Sequence, residues 1–253
     1  MPYHLLPGFR ARLTRQPVQD HWQGGPAHHA GAKCLGCKRP LLLIWDINCN
    51  DPRFVSPKGR KIFKGIGRLP LYYCWRCDGE LYYRICSEDR IRILKRESPV
   101  THKNFPYRAF PRFFGRRPLR LDPLVDMPPA AKALVNTPLF DRLPPKSKQP
   151  LQKWIGRPLK RGFDIWWHQF GGQPWLIQGP ERIVCPNPDC SLSRRNWAMK
   201  ILATVHNEPL AGLPMIETKK QVKKNKGHFN HWLQMVFHVC VGCWTIHAGN
   251  RCD

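Results

Sequence analysis

The chain has 253 residues and a formal net charge of +25, from 42 Lys and Arg against 17 Asp and Glu. That length admits one large domain or two modest ones, and 42% hydrophobic residues with ten tryptophans exclude a disordered chain. The charge points to polyanionic or acidic partners, and the longest apolar run, Leu41 to Trp45, is too short to span a bilayer.

Residues 1–30 read as a polar N-terminal arm, with Pro7, Gly24-Gly25-Pro26 and scattered histidines. The opening MPYHLLPGFRARLTRQ lacks the apolar core of a signal peptide, so a cytoplasmic location is expected. In that compartment cysteine pairs more often mean metal or redox chemistry than disulfides.

Residues 31–97 read as a first zinc-ribbon-like β unit. Cys34-Leu35-Gly36-Cys37 opens it, with Gly36 supplying a tight turn. In Leu41 to Asn48 the residues Leu41, Leu43, Trp45 and Ile47 fall on one face, which predicts a strand buried mostly on one side. After the basic loop 51–68, the run Leu69 to Ile85 is read as a β-hairpin that carries Cys74-Trp75-Arg76-Cys77 at its tip. RIRILKRE closes the unit as a further strand.

Residues 98–162 are rich in Pro, Arg and aromatics, and read as a basic linker wrapping over its flanks without a core of its own. Within it, Pro128-Pro129 followed by AAKALV predicts one short helix, while LPPKSKQP and RPLKRG read as extended.

Residues 163–253 read as a second zinc-ribbon-like unit, with a GGxP turn at Gly171-Gly172-Gln173-Pro174. Cys185 and Cys190 precede a strand expected to place Met199, Ile201, Ala203 and Val205 on one face. A basic insertion, LQMVFHV, Cys240-Val241-Gly242-Cys243 and WTIHAGNRC follow. Both halves thus run cysteine pair, strand, basic insertion, strand, cysteine pair, strand. The reading is a mainly β fold: duplicated, zinc-ribbon-like antiparallel units joined by a Pro/Arg-rich linker.

Each copy is expected to hold one structural zinc ion, two in all, through Cys34, Cys37, Cys74 and Cys77, and through Cys185, Cys190, Cys240 and Cys243. The repeat suggests this grouping, with pairing across the copies left open. Redox catalysis is disfavoured, because Asp78-Gly79 and a β-prone run follow Cys77 where a thioredoxin-like site needs a helix. Cys49 and Cys86 read as buried small hydrophobes. No GxSxG, HExxH or GxxxxGK[ST] motif is present, so no enzyme and no small-molecule substrate are expected.

The stretch Trp167-His168-Gln169-Phe170-Gly171-Gly172-Gln173-Pro174-Trp175-Leu176-Ile177-Gln178, followed by Cys185-Pro186, resembles the signature of the YwqG-like bacterial family. It is distantly similar to the programmed cell death protein 2 family of eukaryotes. The resemblance is most specific over 166–243. It implies a β-rich fold and, through the eukaryotic relatives, a dedicated chaperone of a small-subunit ribosomal protein.

The residues favour a non-catalytic binding protein for RNA or ribosomal components, with a protein-interaction or chaperone module for an acidic or ribosomal partner as the alternative. Cations neutralise phosphates while aromatics stack on bases. The candidate contacts are Arg108, Arg112, Arg116 and Arg117 in one stretch and Lys219, Lys220, Lys223 and Lys224 in the other.

Overall fold

A computed structural model describes residues 5–56, 58–77, 79–96, 113–135, 142–156, 168–174, 176, 181–193, 195, 199–206 and 234–251. Among them, eleven strands form one curled, mainly antiparallel architecture, in the order β4-β3-β2-β7-β1-β8-β9-β10-β11-β5-β6. These are β1 (Phe9–Leu13), β2 (His21–Gln23), β3 (Leu42–Asn48), β4 (Arg68–Tyr73), β5 (Leu81–Ile85), β6 (Ile91–Arg96), β7 (Arg117–Pro123), β8 (Gln169–Phe170), β9 (Met199–His206), β10 (Gln234–Cys240) and β11 (Thr245–Arg251). No helix among the described residues is long and apolar enough to cross a membrane.

The boundaries drawn from composition do not divide this sheet. β1 and β2, inside the supposed polar arm, pair with β7 from the supposed linker and stand in the middle of the strand order. Alternation explains β1 and β7: Phe9, Ala11, Leu119 and Leu121 are buried, while Arg10, Arg12 and Arg120 lie between them and reach the surface. Asp122 forms ion pairs with both Arg12 and Arg120, offsetting the directly opposed Arg12 and Arg120. The halves are also interleaved, since β5 of the first pairs with β11 of the second.

β4 and β5 are not partners in a hairpin, contrary to the reading of Leu69 to Ile85. β4 pairs with β3, whereas β5 pairs with β11 and β6. Tyr83 on β5 instead spans the gap. Its hydroxyl donates to the Pro70 carbonyl at 2.7 Å and accepts from the Tyr72 N–H at 2.9 Å. One side chain thereby satisfies edge groups of β4 and ties that end of the strand order to β5. Pro70 suits that edge, having no N–H to offer. Tyr83→Phe leaves both groups buried and unpaired, with an expected loss of about 1–3 kcal/mol in urea unfolding.

β3 is buried on both sides: Leu42 and Ile44 join Leu43, Trp45 and Ile47 in the main core, together with Ala32 and Cys34 from the preceding segment. In β9 the expected single face is broken by a bulge. Ala203 pairs with Phe237 and Ile201 with His238, so Leu202 is the extra residue and the alternation shifts. Leu202, Ala203 and Val205 therefore enter the main core, and Met199 packs in the smaller cluster around the second cysteine group.

The 98–162 region carries α1 (Pro129–Val135), where a helix is expected, and α2 (Pro145–Ile155), where extended chain is expected. Pro145 sits in the first turn of α2, and Gly156 closes it in the left-handed conformation. Met127, Ala131, Leu151 and Ile155 form a small core of their own. Arg10 of β1 donates to the Ile155 carbonyl at 2.8 Å, placing a cation at the helix C-terminus.

Candidate metal centres

The eight predicted cysteines come together as two groups of four: Cys34, Cys37, Cys74 and Cys77, and Cys185, Cys190, Cys240 and Cys243. Within each group every sulfur lies within 4.8 Å of the others. Close pairs are Cys34–Cys77 at 3.6 Å, Cys37–Cys74 at 3.6 Å, Cys185–Cys243 at 3.5 Å and Cys190–Cys240 at 3.6 Å. A disulfide needs about 2.05 Å. Four sulfurs placed tetrahedrally at about 2.3 Å from an ion stand about 3.8 Å apart. The spacing therefore fits two thiolate-bound metal ions.

Local backbone aims these sulfurs. In the first group Lys38 N–H bonds to the Cys34 carbonyl at 3.0 Å, and Lys38 has a φ of 59°. The hairpin tip of β10 and β11 repeats the turn: Trp244 N–H bonds to the Cys240 carbonyl at 2.8 Å with a φ of 56°. A side chain at Gly36 would meet Arg96 and come within 3.2 Å of Cys77 Sγ; at Gly242 it would lie 3.3 Å from Cys190 Sγ. Both glycines let backbone approach sulfur.

Seven of the eight thiols are buried and Cys37 is half-buried. Without a cation such crowded thiols cannot ionise together. A hydrogen bond from Cys74 leads the effects that lower Cys34 to about 4, whereas that bond and burial raise Cys74. At the second centre hydrogen bonds from Cys185 and Cys240 depress Cys243, while hydrogen bonds with Cys185 and Cys243, and burial, raise Cys240. A bound cation removes this conflict and lets all four sulfurs serve as thiolates.

The second centre has supporting donors that its spacing did not disclose. Thr245 Oγ1 lies 3.0 Å from Cys243 Sγ, and Leu192 N–H donates to Cys190 Sγ at 3.4 Å. Asn187 is fully buried, and its side chain also favours the Cys243 thiolate. Such donors orient ligands and spread their charge.

The remaining cysteines differ from one another. Cys49 is buried, with its thiol pushed up by burial, as a small core hydrophobe. Cys86 is exposed, contrary to expectation, because it lies in the turn beyond β5. Of the candidate nucleic-acid contacts, Arg116 and Arg117 are exposed beside Phe113, and the Arg116 guanidinium lies 4.0 Å from the Trp22 ring centre. Arg108, Arg112, Lys219, Lys220, Lys223 and Lys224 lie outside the described residues.

A polar network flanks the second centre. His238 Nδ1 lies 3.1 Å from His247 Nδ1, His247 Nε2 lies 3.4 Å from Glu80, and Glu80 pairs with Arg251 at 3.2 Å. Arg251 also pairs with Glu181. The hydrogen bond with His247 leads the effects that hold the Glu80 carboxyl down at about 2, against the opposing effect of burial. A depressed carboxyl stabilises the fold above its unfolded value, and that contribution disappears as pH falls through the folded value. Glu80→Gln is expected to cost about 1–3 kcal/mol at pH 7. The gap from the parent should narrow between about pH 5 and 2, read by urea unfolding at each pH.

No protein-family model, curated protein or solved structure matches the chain.

Proposed function

We propose that the chain is a zinc-stapled, non-catalytic binding protein that associates with RNA or ribosomal components through basic surface. The observation carrying this reading is the net charge of +25 together with exposed Phe113, Arg116 and Arg117, Arg116 lying over the Trp22 ring. Cations supply phosphate contacts, and an exposed ring supplies a platform for a base. Zinc suits closed sites made of four thiolates; tetrahedral sulfur sites also suit iron, so metal analysis separates the two. The ions would serve as staples, with every tetrahedral position occupied by protein.

The test is binding of a single-stranded RNA to the purified, nuclease-treated protein across a salt series. Binding that weakens steeply with salt, and weakens again in the Arg116→Glu, Arg117→Glu double variant, supports the reading. Absence of RNA binding at low salt contradicts it. The family resemblance favours a protein partner instead, which would appear as one dominant nuclease-resistant companion in a pull-down.

A further inference from the structure

We propose that Arg84 and Arg92 form a phosphate-binding pair on the face of β5 and β6 turned away from the main core. For its source of phosphate, an RNA backbone, this inference rests on the function proposed above. The β5–β6 register sets Arg84 directly opposite Arg92, and the β5–β11 register sets Arg84 opposite Thr245. Their neighbours Tyr83, Ile85, Ile91 and Ile246 all enter the main core, so the two arginines share the face turned away from it, where Tyr82 packs in the cluster around the second cysteine group.

Directly opposed cations in an antiparallel pair have Cβ atoms only about 4.5–5.5 Å apart and repel one another. Elsewhere in the sheet such a pair is balanced: Arg12 and Arg120 share Asp122. No carboxylate among the described residues forms an ion pair with Arg84 or Arg92. Arg84 Nε is buried and has no hydrogen-bond partner, although the residue as a whole is half-buried. Arg92 is exposed. The register thus sets a half-buried arginine directly opposite an exposed one.

Phosphate is the anion that this chemistry favours. Guanidinium presents a planar fork that matches two phosphate oxygens, and two forks can share one phosphate group. An anion placed there removes the repulsion, so binding and stability should move in opposite directions when either arginine is neutralised. Without ligand the variants lose repulsion; with ligand they lose contacts.

The experiment compares the parent with Arg84→Gln and Arg92→Gln, using thermal melting with and without inorganic phosphate, salt-dependent binding of a single-stranded RNA, and metal content. The expected result has three parts. Phosphate raises the melting temperature of the parent more than that of either variant, and ligand-free variants melt no lower than the parent. Each variant also binds RNA more weakly, with its logarithmic salt slope reduced by about 0.7 for the lost phosphate contact.

Unchanged RNA affinity and slope in both variants would overturn the pair while leaving RNA binding itself intact. A parent that responds to phosphate through these residues but binds no RNA would keep the anion site and reject its proposed source. Loss of metal in Arg84→Gln, with RNA binding unchanged in both variants, would overturn the inference by reassigning Arg84 to charge balance at the second cysteine centre.

Discussion

Stripping the metal from this protein is expected to unfold it, with the larger loss coming from the first centre. That centre joins the loop before β3 to the turn that leads from β4 to β5. Cys34, Cys74 and Cys77 belong to the main core and Cys37 packs against it, whereas the second group sits in a smaller cluster. The second centre ties the 185–190 loop to the tip of a hairpin that already has a complete β10–β11 ladder. Structural zinc supplies apparent binding energy on the order of 10–16 kcal/mol in small zinc-finger peptides, and total domain stability is only about 5–15 kcal/mol. Either centre is thus large against the whole.

Cys74→Ser should bring loss of one metal ion and a collapse of near-UV circular dichroism, because Trp75 is fully buried against Tyr73 at 4.8 Å between ring centres. Cys190→Ser should also lose one ion, but retain more of that signal. Chelation that leaves melting and near-UV signal unchanged would contradict the staple assignment.

Replacing Asp51 is expected to give the largest effect of any single change away from the cysteines. Its side chain is fully inaccessible. It meets His21 Nε2 at 2.9 Å and Arg53 Nη2 at 2.6 Å, and accepts from the Arg53 backbone N–H at 3.0 Å. Arg53 in turn donates to the Leu121 carbonyl at 2.6 Å. One carboxylate thus connects β2, the loop after β3, and β7.

Burial alone would raise the Asp51 carboxyl, but the hydrogen bonds from His21 and Arg53 prevail and leave it lowered. Its contribution is present above the unfolded value and is lost as pH falls through the lower folded one. Asp51→Ala strands Arg53 beside a buried histidine, with an expected loss of about 3–5 kcal/mol in urea unfolding at pH 7. A loss below about 1 kcal/mol would show that the network is replaceable by water.

The parts of the fold legible in the sequence are those with local patterns. An apolar run marks β3, and paired cysteines mark both centres, since ligand spacing is a local property. β1 and β7 were missed because each offers only two buried apolar side chains among arginines and prolines: Phe9 and Ala11, Leu119 and Leu121. β2 has three residues and no room for a period. α2 was hidden by Pro150 inside the helix, although Leu151 and Ile155 stand at helical spacing.

Long-range polar partners leave no trace in spacing at all. Asp51 and His21 are 30 residues apart, and Glu80 and Arg251 are 171 apart. The interleaving of the halves was concealed for the same reason. The order of motifs along the chain shows what each half contains, while strand pairing depends on which edge each strand finds. β5 follows β4 directly in the chain, yet its ladder lies with β11.

Metal analysis of the protein as purified from cells, normalised to chain concentration, tests the central claim most directly. Close to two zinc ions per chain are expected, falling to one when either cysteine group loses a ligand. A folded, metal-free chain, or one in which a single cysteine substitution removes no metal, would contradict it.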